Sequence, residues 1–191
     1  MPELFTIGHA DRPWESFVTM LHHHGITLLV DIRRFPDSRH APQFNKESMR
    51  TALATEGIGY VHLPILGGRR KRQAGSRNTT WRNVSFQGYA DYMETPEFAA
   101  GLADLKALAA EPGQRVAIMC AETVWWRCHR ALVADALLSQ GWQVWHILDD
   151  GAAKPHRLSA PARIVDGVLT YHPDPGATNA TDEAVVVTPD A

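Results

Sequence analysis

Thr27-Leu28-Leu29-Val30-Asp31-Ile32 is apolar on both of its faces, and a strand of that kind is stable only where both faces are covered. That condition points to a parallel sheet held between two layers of helices. The rest of the chain supplies the alternation such a fold requires. Leu4 to Ile7 reads as an earlier strand, and Tyr60 to Leu63, Arg115 to Met119 and Trp142 to Leu148 as three later ones. Between them, Pro13 opens a helix with Trp14, Phe17, Val18 and Leu21 on one face, ending at Gly25. Asn45 is placed to cap a second helix over residues 46–56, stopped by Gly57. FQGYADYM (86–93) begins a third, Pro96 to Ala110 is amphipathic, and the last runs over about 127–139. The expected fold is α/β: a single domain with a mainly parallel central sheet of about five strands flanked by helices.

The chain has 191 residues, 45% of them hydrophobic, which is material for one such core. No apolar run approaches the roughly 18 residues of a membrane span, and the N-terminus lacks the basic and apolar regions of a signal peptide. A cytoplasmic protein with no membrane partner is therefore expected. The α/β domain is assigned to residues 1–148. Residues 149–191 hold five of the 12 prolines and are expected to form an appended hairpin, around Asp166-Gly167, followed beyond Pro173 by a flexible acidic tail.

A net charge of −2 hides an uneven distribution. Residues 69–82 (RRKRQAGSRNTTWR) carry six of the 19 Lys and Arg and no acid, whereas from residue 149 onward seven acids face three bases.

Ligands of an open parallel sheet bind at the carboxyl ends of its strands. The polar residues of this chain fall there. The first strand ends in Gly8-His9, the second in Asp31-Ile32-Arg33-Arg34, the third leads to Leu66-Gly67-Gly68, and the fourth ends in Cys120-Ala121-Glu122. The following helix opens on Cys128-His129-Arg130. One rim gathers all of them, and His9, Asp31, Arg33, Gly67, Glu122 and Arg130 are expected around a single cleft.

The motifs TIGHA (6–10), LVDIRRFP (29–36), Phe44, LGG (66–68), FQGYADYM (86–93), MCAE (119–122) and CHR (128–130) resemble, in this order, the family of domains of unknown function called DUF488. The resemblance covers roughly residues 3–148 and implies a fold and a site without naming a reaction. Two departures stand out: the first motif ends in Ala10 where the family commonly has Ser, and Val124-Trp125-Trp126 replaces an acidic, proline-containing stretch.

Guanidinium groups match phosphate or carboxylate oxygens in pairs, and a helix N-terminus adds positive potential. Arg33, Arg34 and Arg130 are accordingly read as anion binders, with Asp31, Gly67, Gly68, Cys128 and His129 as the remaining substrate-binding positions. An ion pair of Arg33 with Asp31 or Glu122 is the competing, structural reading. His9, Glu122 and Cys120 lie nearest the chemistry and are the catalytic candidates. Asp31 and Glu122 are also candidates for a carboxylate pair across neighbouring strands.

The two cysteines admit several readings. A phosphatase-type loop needs five residues between Cys and Arg, and six separate Cys120 from Arg127, so that reading fails. A thiolate at a strand end suits sulfur transfer or redox chemistry, although the loop lacks the glycines of an amide cradle. Cys120, Cys128, His129 and His9 are metal ligands by type, but C-x7-C-H matches no standard zinc knuckle, and no residue is assigned to a metal. Buried, inert thiols are the remaining alternative. The adjacent His22, His23 and His24 point in different directions and form no preformed chelate.

Arg69, Arg70, Arg72 and Trp81 of the basic segment combine cations with an aromatic ring, which suits contact with a single-stranded nucleic acid. The function expected is an enzyme acting on an anionic substrate, a nucleotide or a nucleic acid. A non-catalytic nucleotide- or nucleic-acid-binding module is the first alternative, and a cysteine-based sulfur-transfer or redox enzyme, with or without a metal, is the second. The sequence names no cofactor and no oligomeric state.

Overall fold

A computed structural model describes residues 1–174 and 176 of the chain. Five strands lie parallel in the order β3-β2-β4-β1-β5: β1 (Glu3–Gly8), β2 (Leu28–Asp31), β3 (Gly59–His62), β4 (Val116–Cys120) and β5 (Gln143–Ile147). A sixth strand, β6 (Lys154–Pro155), pairs antiparallel with the edge of β5. It adds one strand to the five read from the sequence. Its two residues and its proline are tolerated because an edge strand needs to donate on one side only.

Successive strand residues face opposite ways, and the two faces bury separate cores. Leu28, Val30, Val116 and Ile118 pack against α3 (Val84–Met93), α4 (Pro96–Ala110) and α5 (Arg130–Ser139), through Tyr89, Phe98, Leu102 and Leu132. Phe5, Leu29, Ala117 and Met119 pack against α1 (Trp14–His23) and α2 (Lys46–Thr55), through Phe17, Leu21, Met49 and Leu53. Each large aliphatic side chain buried this way contributes about 2 kcal/mol. The double coverage is the reason β2 shows no polar alternation.

The second helix, α2, starts at Lys46 as the sequence implies but is capped differently, and the last helix starts later than the sequence implies. Asn45 occupies the N-cap position of α2, yet its side-chain oxygen accepts the Ser38 N–H at 2.7 Å, and the Lys46 N–H turns to Asp37 at 3.1 Å. A tertiary carboxylate thus takes over the capping. The last helix begins at Arg130 rather than near 127, because a 3-10 turn (Trp125–Arg127) is followed by Cys128 in extended conformation (φ −130°, ψ 149°). That break keeps Cys128 beside the sheet.

Beyond β5 the chain returns over the body. A two-stranded hairpin, β7 (Arg163–Val165) and β8 (Val168–Thr170), turns at Asp166-Gly167. It is anchored by the buried Asp135 of α5, which accepts His156 Nε2–H at 2.9 Å, the Ser159 N–H at 2.8 Å and the Tyr171 hydroxyl at 2.8 Å. His156 Nδ1 in turn accepts from His146 Nε2 (2.9 Å), and His146 Nδ1 from Thr6 Oγ1 (2.8 Å). The acidic tail expected after Pro173 lies outside the described residues, apart from Asp174 and Gly176. Among the described residues, no helix is long and apolar enough to cross a membrane.

Candidate functional site

All five parallel strands end on one edge. β4 lies between β2 and β1, whose following helices, α2 and α1, cover the opposite face from α5. Strand order and helix side change here, which is where an open α/β sheet leaves a crevice. A cleft of about 330 Å³ occupies it. Its floor holds Cys120, Cys128, His129 and Gly68, with Tyr89 of α3 at the side. Arg33, Arg34, Phe35, Arg69, Phe86, Glu122 and Arg127 line the rest.

Behind the floor sits a closed polar network. Asp31 is 0% and Arg33 7% exposed, and the guanidinium meets the carboxylate through Nε–H (2.9 Å) and an Nη–H (2.6 Å). The Tyr60 hydroxyl donates to the same carboxylate at 2.7 Å. Arg33 also donates to the Phe44 carbonyl at 2.7 Å and to His9 Nε2 at 3.1 Å. Arginine has donors only, so His9 Nε2 accepts, and its Nδ1–H donates to the Ala10 carbonyl at 2.6 Å. The ring stacks on Phe44 at 4.4 Å. Burial, reinforced by the Arg33 charge, pushes the His9 pKa down to about 4. The imidazole is neutral and both nitrogens are occupied, so His9 positions the strand-end loop instead of facing the cleft. The structural pairing weighed for Arg33 is the geometry observed. No Asp31–Glu122 pair forms: Asp31 is enclosed in its ion pair, while Glu122 is exposed at the rim.

Arg130 also sits elsewhere than its expected place. Only 1% exposed, it turns beneath the loop after β4, donating to the carbonyls of Glu122 (2.5 Å) and Thr123 (3.4 Å), while its Nε has no partner among the described residues. Burial pushes its pKa down to about 9, which leaves it charged near neutrality. The Glu122 carbonyl crosses so close to Gly8 that any Cβ there would collide with it and with the Arg130 guanidinium. Gly8 is therefore required by close approach of two loops.

Cys120 and Cys128 meet at the floor with their sulfurs in contact. Their Cα atoms stand 7.8 Å apart, beyond the roughly 6.8 Å that a disulfide spans without moving the backbone. The Arg130 backbone N–H points at Cys128 Sγ from 3.5 Å. His129 Nδ1 lies 3.5 Å from the same sulfur, and its Nε2–H donates to the Ile32 carbonyl at 3.3 Å. Burial pushes its pKa down to about 4. A Cβ on Gly68 would come within 2.8 Å of His129 Nδ1, so a glycine there leaves room for the ring.

Besides the buried, ion-paired Arg33, the cations lining the cleft are Arg34, Arg69 and Arg127, all exposed. Phe35 is 61% exposed, with the guanidinium groups of Arg34 and Arg69 at 5.6 and 5.8 Å from its ring centre. Arg127, Phe35 and Phe86 carried no assignment in the sequence reading; the adjacency of Trp126 and Arg127 to the CHR motif was the available signal. Gly67 lies behind Arg34, buried. In the basic segment, Arg70 is tied to the carbonyls of Gly67 (2.9 Å) and Ile65 (3.0 Å) and lies over Tyr92 at 3.7 Å. Arg72 is exposed, whereas Trp81 is half-buried, packed between Phe86 (4.8 Å) and Tyr171 (5.7 Å). Asp91 gathers the segment through Gln73 N–H (2.8 Å), Ser76 (2.5 Å) and Asn78 (2.8 Å).

These elements define an α/β domain with a strand-edge cleft built from separated motifs. Residues 13–137, about two thirds of the chain, match the family described as domain of unknown function DUF488, and the chain belongs to that family. No curated protein and no solved structure matches the chain significantly.

Proposed function

We propose that the protein is an enzyme whose substrate is anionic, a nucleotide or a nucleic acid end, bound in the cleft over Cys120, Cys128 and His129. The observation that carries this reading is the charge of the lining: Arg34, Arg69 and Arg127 face the opening with Glu122 as the single carboxylate among the lining residues. Guanidinium groups held around one opening suit the oxygens of a phosphate, and a low-dielectric floor strengthens each contact. The flat faces of Phe35 and Phe86 suit a planar base beside it. In this assignment Arg34 and Arg127 hold the anion, Glu122 is the acid or base at the rim, and the cysteine pair lies at the reacting end. Arg33, Asp31, His9 and Arg130 shape the floor from behind.

A thiol-based reaction is the second reading. It is favoured by the backbone N–H of Arg130 aimed at Cys128 Sγ, which stabilises a thiolate at a helix start. Native mass spectrometry of the protein purified without added ligand tests the leading reading. A copurifying phosphate-bearing species, released on denaturation, supports it. Purified protein that is empty and binds none of the four nucleoside 5′-monophosphates or a single-stranded oligonucleotide refutes it.

A further inference from the structure

We propose that Cys120, Cys128 and His129 form a three-ligand site for a zinc-class divalent metal ion, with its fourth position open to the cleft. It rests on the preceding reading only for what occupies that fourth position.

Ligand type comes first. Cys120 Sγ, Cys128 Sγ and one His129 ring nitrogen all lie within 4.8 Å of one another. Two thiolates and one imidazole are a donor set that zinc and its neighbours favour, and three protein ligands with a vacant corner are the arrangement of metal sites that bind water or substrate.

The imidazole supplies the second, independent observation. A ligating histidine needs one nitrogen with a free lone pair, fixed by a hydrogen bond from the other. The Ile32 carbonyl only accepts, so His129 Nε2 carries the proton and Nδ1 is left as the lone-pair nitrogen. That nitrogen faces Cys128 Sγ. The tautomer and the ring direction are those a ligand requires, and both follow from a backbone carbonyl at the end of β2.

Spacing agrees. Two thiolates bound to one zinc ion, each at about 2.3 Å, stand about 3.8 Å apart. Cα atoms 7.8 Å apart are too far for a disulfide but accommodate that spread by side-chain rotation. The extended conformation of Cys128, which delays the start of α5, turns its sulfur back to the end of β4. Charge agrees as well. Two thiolates neutralise a divalent ion, so the buried Arg130 cation beneath the loop meets no net positive charge. All three ligands line the cleft, leaving the open side towards Arg34 and Arg127.

The test is elemental analysis of the purified full chain, together with cobalt titration of the chelator-treated protein. About one metal ion per chain is expected, with one equivalent of Co²⁺ producing thiolate-to-cobalt charge-transfer absorption and the visible bands of a tetrahedral ion. Cys120→Ser and Cys128→Ser are expected to lose the metal, and His129→Ala to bind it at least tenfold more weakly. The wild-type titration does not depend on any variant folding. A folded wild-type chain that contains no metal and gives no cobalt spectrum overturns the proposal, as does a His129→Ala variant with unchanged affinity. The Arg34→Ala/Arg127→Ala double variant is expected to retain the metal. Metal retained in that variant supports a site built from Cys120, Cys128 and His129 alone, and loss of the metal there overturns it. A wild-type chain that takes up neither zinc nor Co²⁺ and still binds a nucleoside monophosphate overturns the metal site and leaves the anion reading standing.

Discussion

His129 Nδ1 stands 3.5 Å from Cys128 Sγ with its lone pair towards the sulfur, an orientation held by the Ile32 carbonyl on the far side of the ring. The pair ties the first residues before α5 to the ends of β2 and β4. The reacting end of the cleft is thus built from backbone geometry as much as from side chains: a strand-end carbonyl, an extended cysteine and a glycine that leaves space for the imidazole.

The Asp31–Arg33 pair is enclosed, and removing one partner strands the other. Asp31→Asn leaves a buried guanidinium without its counter-ion and is expected to cost about 3–5 kcal/mol. Urea unfolding monitored by tryptophan fluorescence measures this. A cost below 1 kcal/mol would mean that water reaches Arg33.

Acid sensitivity has an identifiable source in His146. Burial, with the neighbouring His156 and Arg130, pushes its pKa down to about 3 from the ordinary 6.5. Between those values the unfolded chain binds the proton that the folded chain refuses, so stability falls as pH drops below 6.5. This one group is expected to remove about 2 kcal/mol between pH 7 and pH 5. His146→Gln is expected to flatten that part of the stability–pH curve, and an unchanged slope would assign the loss to other groups.

Asp135 anchors the segment that follows β5. Asp135→Ala deprives His156, Ser159 and Tyr171 of their common acceptor, and the hairpin is expected to loosen from α5. Limited proteolysis is expected to cut residues 150–172 faster in the variant, with the parallel sheet intact. Equal cleavage rates would show that apolar packing alone holds the segment.

Gly8→Ala forces a methyl group into the Glu122 carbonyl and the Arg130 guanidinium. A rigid backbone clash of this kind is expected to cost about 2–3 kcal/mol and to displace the loop that carries Glu122. Thermal unfolding of the variant checks the stability, and its nucleotide affinity checks the loop.

The architecture was legible in the sequence because parallel strands share an edge. Doubly apolar β2 implied two helical layers, and the positions of Asp31, Cys120 and Cys128 after or at strand ends followed. Side-chain direction was not legible. Arg33 and Arg34 are neighbours with identical chemistry, yet the first turns inward to Asp31 and the second out to the cleft. Arg130 suggested an anion site at a helix start, but the late break at Cys128 folds it under the loop. Arg127 takes the exposed position instead. The Asp135–His156–His146–Thr6 chain joins residues far apart in sequence, and no local spacing announces it.

Equilibrium binding of the four nucleoside 5′-monophosphates, at low and high salt, to wild type and to Arg34→Ala/Arg127→Ala tests the central claim most directly. Each exposed arginine is expected to contribute about 1.4 kcal/mol to a bound phosphate, tenfold in Kd, so the double variant binds about 100-fold more weakly at low salt. Neutralising Arg69, Arg70, Lys71 and Arg72 together is expected to weaken chiefly a single-stranded oligonucleotide, and mainly at low salt. A double variant that binds every probe as wild type does would contradict the account, because the cationic lining of the cleft would then play no part in holding the ligand.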